Sequence, residues 1–525
     1  LVLGNFIGFT RSTRGTDTFS SSNSLDNSLR PEIFCEATSE EVNNACVMAQ
    51  QAFEEFSLLS DAARSKFLLR IVDVLVLHKE EIAEIYCAES GLTKDRFEGE
   101  ILRTVRQLIN FSNELENGEW RNASIDTANQ LTSKPDLRKM SVPIGPVVVF
   151  GASNFPLAYS TIGGDTAAAL AVGCPVIVKA HALHAATSDL VATLVVQAAI
   201  ETNMPEGVFA HLHAKSFRVG QELVQHPLVK AVGFTGGHAG GRALFDLANA
   251  RKEPIPVFAE MGSVNPVFVF PEFLNDKSKR QQCAEMLTNS MISGMGQFCT
   301  KPGLIFLFDN QDSAEFIDLL GNTFLSKETS SMLHLSIKER FDQGKVKMEN
   351  QGANLKYSIQ AEGDKTVIQA LGVIRAKQFI DNFQFQEEVF GPFSLVVYCD
   401  DFGEMEACCE VLKGQLTATI IALDSELKSC QKMIFQLQQK TGRIIYNGVP
   451  TGVDISSSMH HGGPYPATTD SRFSAVGIDS IQRFLRPVVF QNCPDEYLPN
   501  ELKNRNINNI LRRVNNVWTK DDVNF

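Results

Sequence analysis

From Thr38 onward, apolar residues recur at three- and four-residue steps through Val42, Ala45, Ala49 and Phe53, the spacing that lays one stripe along a helix. Thr38-Ser39-Glu40-Glu41 has the form of a capping box, so a helix is predicted to start there. A second amphipathic helix is predicted from Asp61 to His78, with more helix through the Asn110 region to about Leu115. Between Pro146 and Glu260 the pattern changes to short apolar runs, PVVVFGA, PVIVKA, VFAHLHA, KAVGFTG and PIPVFAE, separated by helix-length segments. Strands without polar alternation, joined by helices, predict a parallel doubly wound sheet covered on both faces.

After Gly262 the alternation resumes with VNPVFVF, a helix from Ser278 to about Ser293, GLIFLF, and strands near SLVVYC and TATIIAL. These predict a second α/β domain. The segment from about Leu131 to Ser141 and the tail near IQRFLRPVVFQN read as extended β pieces, and LVLGNFIGFTRSTRG reads as an opening strand rather than a signal peptide.

Composition then narrows the class. A chain of 525 residues, 44% hydrophobic and 21% charged, is globular and long enough for two or three domains. No uninterrupted run of about 18 apolar residues predicts a membrane span, and a net charge of -13 disfavours nucleic acid or an anionic membrane as partner. The eleven cysteines lie mostly in apolar or helical stretches, without metal-ligand spacing near histidines. No metal is expected, and a reducing, cytoplasmic location is.

Candidate chemistry centres on Cys299 in GQFCTKPG, with Glu260 at the end of an apolar run and Asn154 further upstream. A soft nucleophile, a possible base and an amide donor together suit carbonyl chemistry: thiolate attack, oxyanion stabilisation, then water activated against a thioester. The segments PVVVFGASNFP, PVIVKAH, VGFTGGHAGGR, FAEMGSVNP, GQFCTKPG, EEVFGP and YNGVPTGV occur in the order found in the aldehyde dehydrogenase superfamily, which the chain resembles from about residue 5 to about residue 500. The spellings FGASNFP, GQFCTKPG and HGGPYPA resemble most its NADP-preferring branch, which includes Vibrio fatty aldehyde dehydrogenase and the ketoglutarate semialdehyde dehydrogenases.

That resemblance implies an α/β fold with a Rossmann-type parallel-sheet cofactor domain (1-130 and 142-259), a second α/β catalytic domain (260-455), and a small β oligomerisation arm with the C-terminal tail (131-141 and 480-510). It implies oxidation of a small-molecule aldehyde to the acid with NAD(P)+, in a homodimer or homotetramer. Cys299, Glu260 and Asn154 match the catalytic positions, and Gly236, Gly237 and Gly241 the turn that approaches a pyrophosphate. Gly237 stands where the family usually has serine. Lys179 matches the lysine at the adenosine ribose, or else ends its strand in solvent. Glu388 matches the glutamate at the nicotinamide ribose, with Phe390 packing nearby.

Ala182 replaces the glutamate that in NAD-preferring relatives would repel a 2'-phosphate, and Lys215, Arg218 or His181 could attract one. NADP is therefore the expected cofactor, with NAD possible. His461, in HHGGPYPA, is expected at the substrate or cofactor, or bonded to a loop backbone. The substrate is expected to be a semialdehyde such as 2-oxoglutarate semialdehyde, for which Arg138, Arg443 and Arg472 are candidate tunnel arginines, or an aliphatic (fatty) aldehyde. Two other readings are acyl transfer to coenzyme A, which Glu260 disfavours, and a catalytically silent relative, suggested by Gly237 and Met261.

Overall fold

The computed structural model describes residues 2 to 358 and 368 to 523; residues 359 to 367 of the expected catalytic span lie outside the described residues. Five parallel strands form the heart of the first sheet, in the order Val257–Glu260, Ala231–Thr235, Val147–Phe150, Val176–Lys179, Phe209–Leu212. Antiparallel Asn5–Ile7 and Thr10–Ser12 complete its far edge. Chain order reverses between Val147–Phe150 and Ala231–Thr235, so the connecting segments part there and leave a crevice at the strands' carboxyl ends.

Side chains on these strands alternate between two cores, as a two-residue period requires. Val148 and Ile177 pack on one face with Ala45, Ala49, Val219 and Ala248. Val147, Val149, Val176 and Val178 pack on the other with Phe67, Leu108, Ala168 and Val195. The helix Ser39–Phe56 starts at Thr38, whose Oγ accepts from the Glu41 amide while the Glu41 carboxylate accepts from the Thr38 amide. The segment Ala182–Glu201 is long and apolar enough to cross a membrane by length and composition, but most of it is buried inside the protein. It is a core helix of the second face.

A second seven-stranded sheet runs in the order Asn354–Ser358, Ala370–Arg375, Phe393–Cys399, Leu304–Phe308, Val267–Val269, Gln415–Ile421, Thr441–Tyr446, parallel except for the first. The third sheet pairs Leu137–Pro143 antiparallel with Leu485–Gln491, and adds Ser124–Asp126, Arg512–Val514 and Val517–Thr519. The extended piece expected from Leu131 thus begins at Leu137, because Asn129 caps a short turn over Gln130–Thr132. Strands of three residues near the carboxyl end carry no periodic signal. Buried Arg512, donating to the Lys503 and Asp521 carbonyls, holds them in place.

Candidate active site

Cys299 lies on a loop between the helix Lys277–Ile292 and the strand Leu304–Phe308. The helix ends through three left-handed residues, Gly294, Met295 and Gly296, at φ 55°, 57° and 66°. A side chain at Gly296 would lie 2.4 Å from the Gly391 carbonyl, so glycine there lets the nucleophile loop touch the Glu388–Pro392 turn. Asn265 fixes the other side: its amide donates to the carbonyls of Cys299 at 2.8 Å and Lys301 at 3.0 Å, while its oxygen accepts from Thr417 at 2.9 Å. Sequence reasoning had given Asn265 no part, although it sits in the quoted segment FAEMGSVNP.

Glu260 closes the strand Val257–Glu260 and is buried. His461 Nε2 lies 3.1 Å from Glu260 Oε1 and 3.6 Å from Cys299 Sγ, and the three side chains' polar atoms all fall within 4.8 Å of one another. The His461 ring therefore stands at the reacting sulfur, while its backbone holds the loop: its amide donates to Ser474 Oγ at 3.0 Å and its carbonyl accepts from the Ala475 amide at 2.8 Å. One ring nitrogen faces both partners, so it either donates to the carboxylate or accepts from the thiol.

Burial, then the charge of Glu260 and a hydrogen bond with it, push the Cys299 thiol well above its ordinary range, against the pull of Arg103. Burial also works to raise the Glu260 carboxyl. The charge and hydrogen bond of His461, the bond with Cys299 and the field of Arg483 outweigh it and keep Glu260 below its ordinary value. The resting pair is thus a thiol beside a carboxylate whose Oε2 has no partner. These three groups have the make-up of a metal-ligand set, but thiolate rather than thiol is the binding form of cysteine.

Asn154 also reaches the nucleophile loop. Its amide donates to the Gln297 carbonyl at 2.9 Å, which leaves one N–H for an oxyanion. Phe298 meets Phe155 edge-on at 5.3 Å, and the Arg96 guanidinium lies over both rings at 4.7 and 4.4 Å.

Glu388 and Phe390 lie half-buried beside this loop. Burial raises the Glu388 carboxyl to about 7 and lowers the Lys301 ammonium to about 8, each opposed by the other's charge. Lys301 Nζ donates to the carbonyls of Val389 at 3.0 Å and Phe393 at 2.6 Å, tying the Cys299 loop to the Glu388 turn. Glu388 Oε2 would lie 2.5 Å from any side chain at Gly262, where φ is 97°. Lys301 is a second residue that sequence reasoning passed over.

The crevice of the first sheet collects the expected cofactor residues. The helix His238–Asn249 begins at Gly237, where an added Cβ would meet nothing within 4 Å. Gly236 donates its amide to the Glu260 carbonyl at 3.0 Å, linking turn to base. Gly241 packs so close to Met261 that a Cβ would come within 2.5 Å of its Cγ. Lys179 Nζ donates to the Ala214 carbonyl at 2.9 Å, and burial lowers it to about 8. An open glycine cradle at a helix amino terminus, with a lysine at a neighbouring strand end, fits a dinucleotide.

Two expected phosphate partners are otherwise engaged. Arg218 binds Glu222, Ser39 and the Ala37 carbonyl. The His181 ring accepts from the Leu183 amide at 3.3 Å and stacks on His184, and burial keeps it neutral. Lys215 is exposed and, among the described residues, has no acidic side chain within 4 Å. Of the candidate tunnel arginines, Arg138 pairs with Asp136 in the third sheet and Arg472 with Asp470 on the surface, so neither is free to act; Arg443 alone lies where Cys299 influences it.

A profile of the aldehyde dehydrogenase family matches residues 32–486. Over 523 residues the chain is 41% identical to alpha-ketoglutaric semialdehyde dehydrogenase of Acinetobacter baylyi, covering 98% of each chain. It is 42% identical to alpha-ketoglutaric semialdehyde dehydrogenase 2 of Azospirillum brasilense over 480 residues, 90% of this chain and 91% of that one. In fold it is similar to lactaldehyde dehydrogenase from Escherichia coli, with a TM-score of 0.81 at 19% identity, covering 93% of this chain and 99% of the other.

Proposed function

The chain belongs to the aldehyde dehydrogenase family, an oxidoreductase that acts on aldehydes with NAD(P)+, and from that premise we propose that its substrate is a carboxylate-bearing semialdehyde of the 2-oxoglutarate semialdehyde type. The observation that carries the chemistry is the meeting of Cys299, Glu260 and His461 within 4.8 Å. Glu260, ionised at rest, takes the thiol proton as sulfur bonds to the aldehyde carbon and the carbonyl electron pair moves onto oxygen. The free N–H of Asn154 and the Cys299 amide receive that oxyanion; one such donor is worth about 3 to 4 kcal/mol of barrier. A bound nicotinamide ring would supply the hydride acceptor that converts the adduct to an acyl thioester.

Glu260 passes the thiol proton to solvent and then removes one from water as it attacks the thioester carbon; the C–S bond breaks, the acid leaves, and the proton on Glu260 returns to the departing sulfur. His461 holds Glu260 Oε1 and favours its ionised form at rest. A buried base beside the sulfur favours water over coenzyme A as acyl acceptor. Lys179 would hold the adenosine ribose, the Gly236–Gly237 turn the pyrophosphate, and Glu388 the nicotinamide ribose. Lys215, the free cation among those expected at the adenosine edge, supports a preference for NADP over NAD.

Leu485–Gln491 is an edge strand, and its unpaired side supports assembly into a dimer or tetramer. Unpaired cysteines throughout support a reducing, cytoplasmic location. The test is reduced-cofactor absorbance with 2,5-dioxopentanoate, succinic semialdehyde, pentanal and decanal, each with NADP and NAD, against Cys299→Ala. Turnover of 2,5-dioxopentanoate at least tenfold above pentanal in kcat/KM is expected. Preference for decanal would overturn the substrate reading.

A further inference from the structure

Beside Tyr159 lie donors that the chemistry above does not use. The Arg103 guanidinium, on the helix Lys94–Asn117, donates to Tyr159 Oη at 3.0 Å and to the Val453 carbonyl. Arg443, on the strand Thr441–Tyr446, donates to the carbonyls of Pro450 at 2.6 Å and Gly452 at 3.3 Å, and its Nε is buried without a partner. Both therefore grip the same loop, whose Val453 packs in a cluster with Phe298, the neighbour of Cys299. Tyr159 in turn lies 6.4 Å, ring to ring, from His461.

Neither guanidinium has a carboxylate within 4 Å among the described residues. Four buried arginines elsewhere have one, Arg64 with Asp61, Arg138 with Asp136, Arg280 with Asp312 and Arg483 with Asp165, while Arg512 is held, among the described residues, by backbone carbonyls alone. A cation withdrawn from water without an anion is costly, and an arriving carboxylate restores the balance with short, paired N–H···O bonds.

Gln107, one helical turn beyond Arg103, supplies the second sign of a ligand site. It is 6% exposed, and its Nε2 is buried with no acceptor. Gln107, Arg103, Tyr159 and Ala475 line one cavity. Ala475 also borders the cavity lined by Glu260 and His461, and donates its amide to the His461 carbonyl at 2.8 Å. The cavity that Arg103, Gln107 and Tyr159 line thus meets, at Ala475, the one that Glu260 and His461 line.

We propose that Arg103, Gln107 and Arg443 form a subsite for the substrate's own carboxylate, selecting short aldehydes whose far end is an anion. This inference rests on the semialdehyde reading of the site. Five carbons, four bonds of about 1.5 Å, span about 5 Å when extended, so a short chain brings its far end only to the pocket next to the sulfur. The Gln107 amide and Tyr159 hydroxyl donate to the remaining carboxylate or 2-oxo oxygen. A site built of such donors rejects an apolar chain that leaves them unpaired.

The test compares 2,5-dioxopentanoate with pentanal, equal in carbon number, in the wild type and in Arg103→Met, Arg103→Lys, Gln107→Leu and Arg443→Met. The ratio of kcat/KM for the two substrates should fall at least tenfold in Arg103→Met, by less in Arg103→Lys, and several-fold in Gln107→Leu and Arg443→Met, mainly through KM for the charged aldehyde. 2-Oxoglutarate should inhibit pentanal oxidation in the wild type and at least tenfold more weakly in Arg103→Met. If the Met variant does not fold, Arg103→Lys and Gln107→Leu carry the same comparison. A wild type that prefers 2,5-dioxopentanoate while the variants keep its ratio overturns the subsite alone. A wild type that prefers pentanal overturns the subsite and the substrate reading together, and equal losses on both substrates assign the arginines to the loop rather than the ligand.

Discussion

Replacing Glu260 by glutamine should make Cys299 more reactive and the enzyme far slower. The carboxylate raises the thiol through its charge and its hydrogen bond. At a separation of no more than 4.8 Å, two unit charges repel by about 3 kcal/mol at an effective dielectric constant of about 20. Glutamine keeps the shape and can still bond His461, but removes the repulsion. Below the thiol's pKa, iodoacetamide should alkylate Cys299 roughly ten- to a hundredfold faster in Glu260→Gln, and the pH profile of alkylation should move to lower pH. The sign follows from the pair: in the wild type the thiolate forms against a carboxylate already ionised, in the variant against a neutral amide.

Deacylation should move the other way, because water loses its base. General-base catalysis contributes typically about 10² to 10⁴, so steady-state turnover should fall by that factor while the first hydride transfer persists. Rapid mixing of Glu260→Gln with aldehyde and cofactor should show a burst of reduced cofactor close to one per active site, then a slow phase. Alkylation slower than in the wild type at every pH, or no burst, would refute the assignment of Glu260 as both the charge that restrains the thiol and the base that frees the acid.

Glu388, raised to about 7, should ionise across the neutral range. Its acceptor strength toward a ribose hydroxyl grows as the proton leaves, so KM for the cofactor should fall between pH 6 and 8 and become flat in Glu388→Gln; an identical pH profile in the variant would assign the titration elsewhere. Gly237→Ser places a hydroxyl where an added Cβ meets nothing and φ is -71°. It should fit without strain and tighten cofactor binding about two- to tenfold, one hydrogen bond's worth, and calorimetric titration showing weaker binding would contradict an open cradle. Val489→Lys, at a 55% exposed position on the edge strand, should shift light-scattering mass toward the monomer, whereas an unchanged mass would remove that strand from the interface.

Much of the site was legible because its residues sit at strand ends that short apolar runs announce. PVVVFGA, KAVGFTG and PIPVFAE mark the strand ends at or just after which Asn154, the glycine turn and Glu260 lie. What stayed hidden were contacts that depend on the space between two sheets. Asn265, Lys301 and Arg103 act through backbone carbonyls and hydroxyls 34 to 350 positions away along the chain, and no periodicity reports such pairings. His461 was noticed as a residue but not as a neighbour of sulfur, since the loop that carries it has no regular structure to fix its direction. Arg218 misled for a related reason: its charge was visible, while the Glu222 carboxylate one helical turn away and the Ala37 carbonyl that absorb it needed a helix and a remote loop to be placed together.

Acidity does not single out Cys299 among the cysteines. Burial raises Cys46, Cys174 and Cys283 to about 12, and raises Cys299 as well. The difference is company. Those three thiols have no titratable base hydrogen-bonded to them, whereas Cys299 has a carboxylate and an imidazole within 4.8 Å on a half-buried loop that an electrophile can approach. A nucleophile stored as a thiol resists adventitious oxidation, because thiolate is the form that oxidises, and it turns reactive only when a group arrives that favours the anion. The withdrawn Arg103 and Arg443 work in that direction at rest and less so once a carboxylate neutralises them. Binding and activation therefore oppose each other at this sulfur, and in the wild type Glu260 closes the difference by taking the proton as the bond to carbon forms.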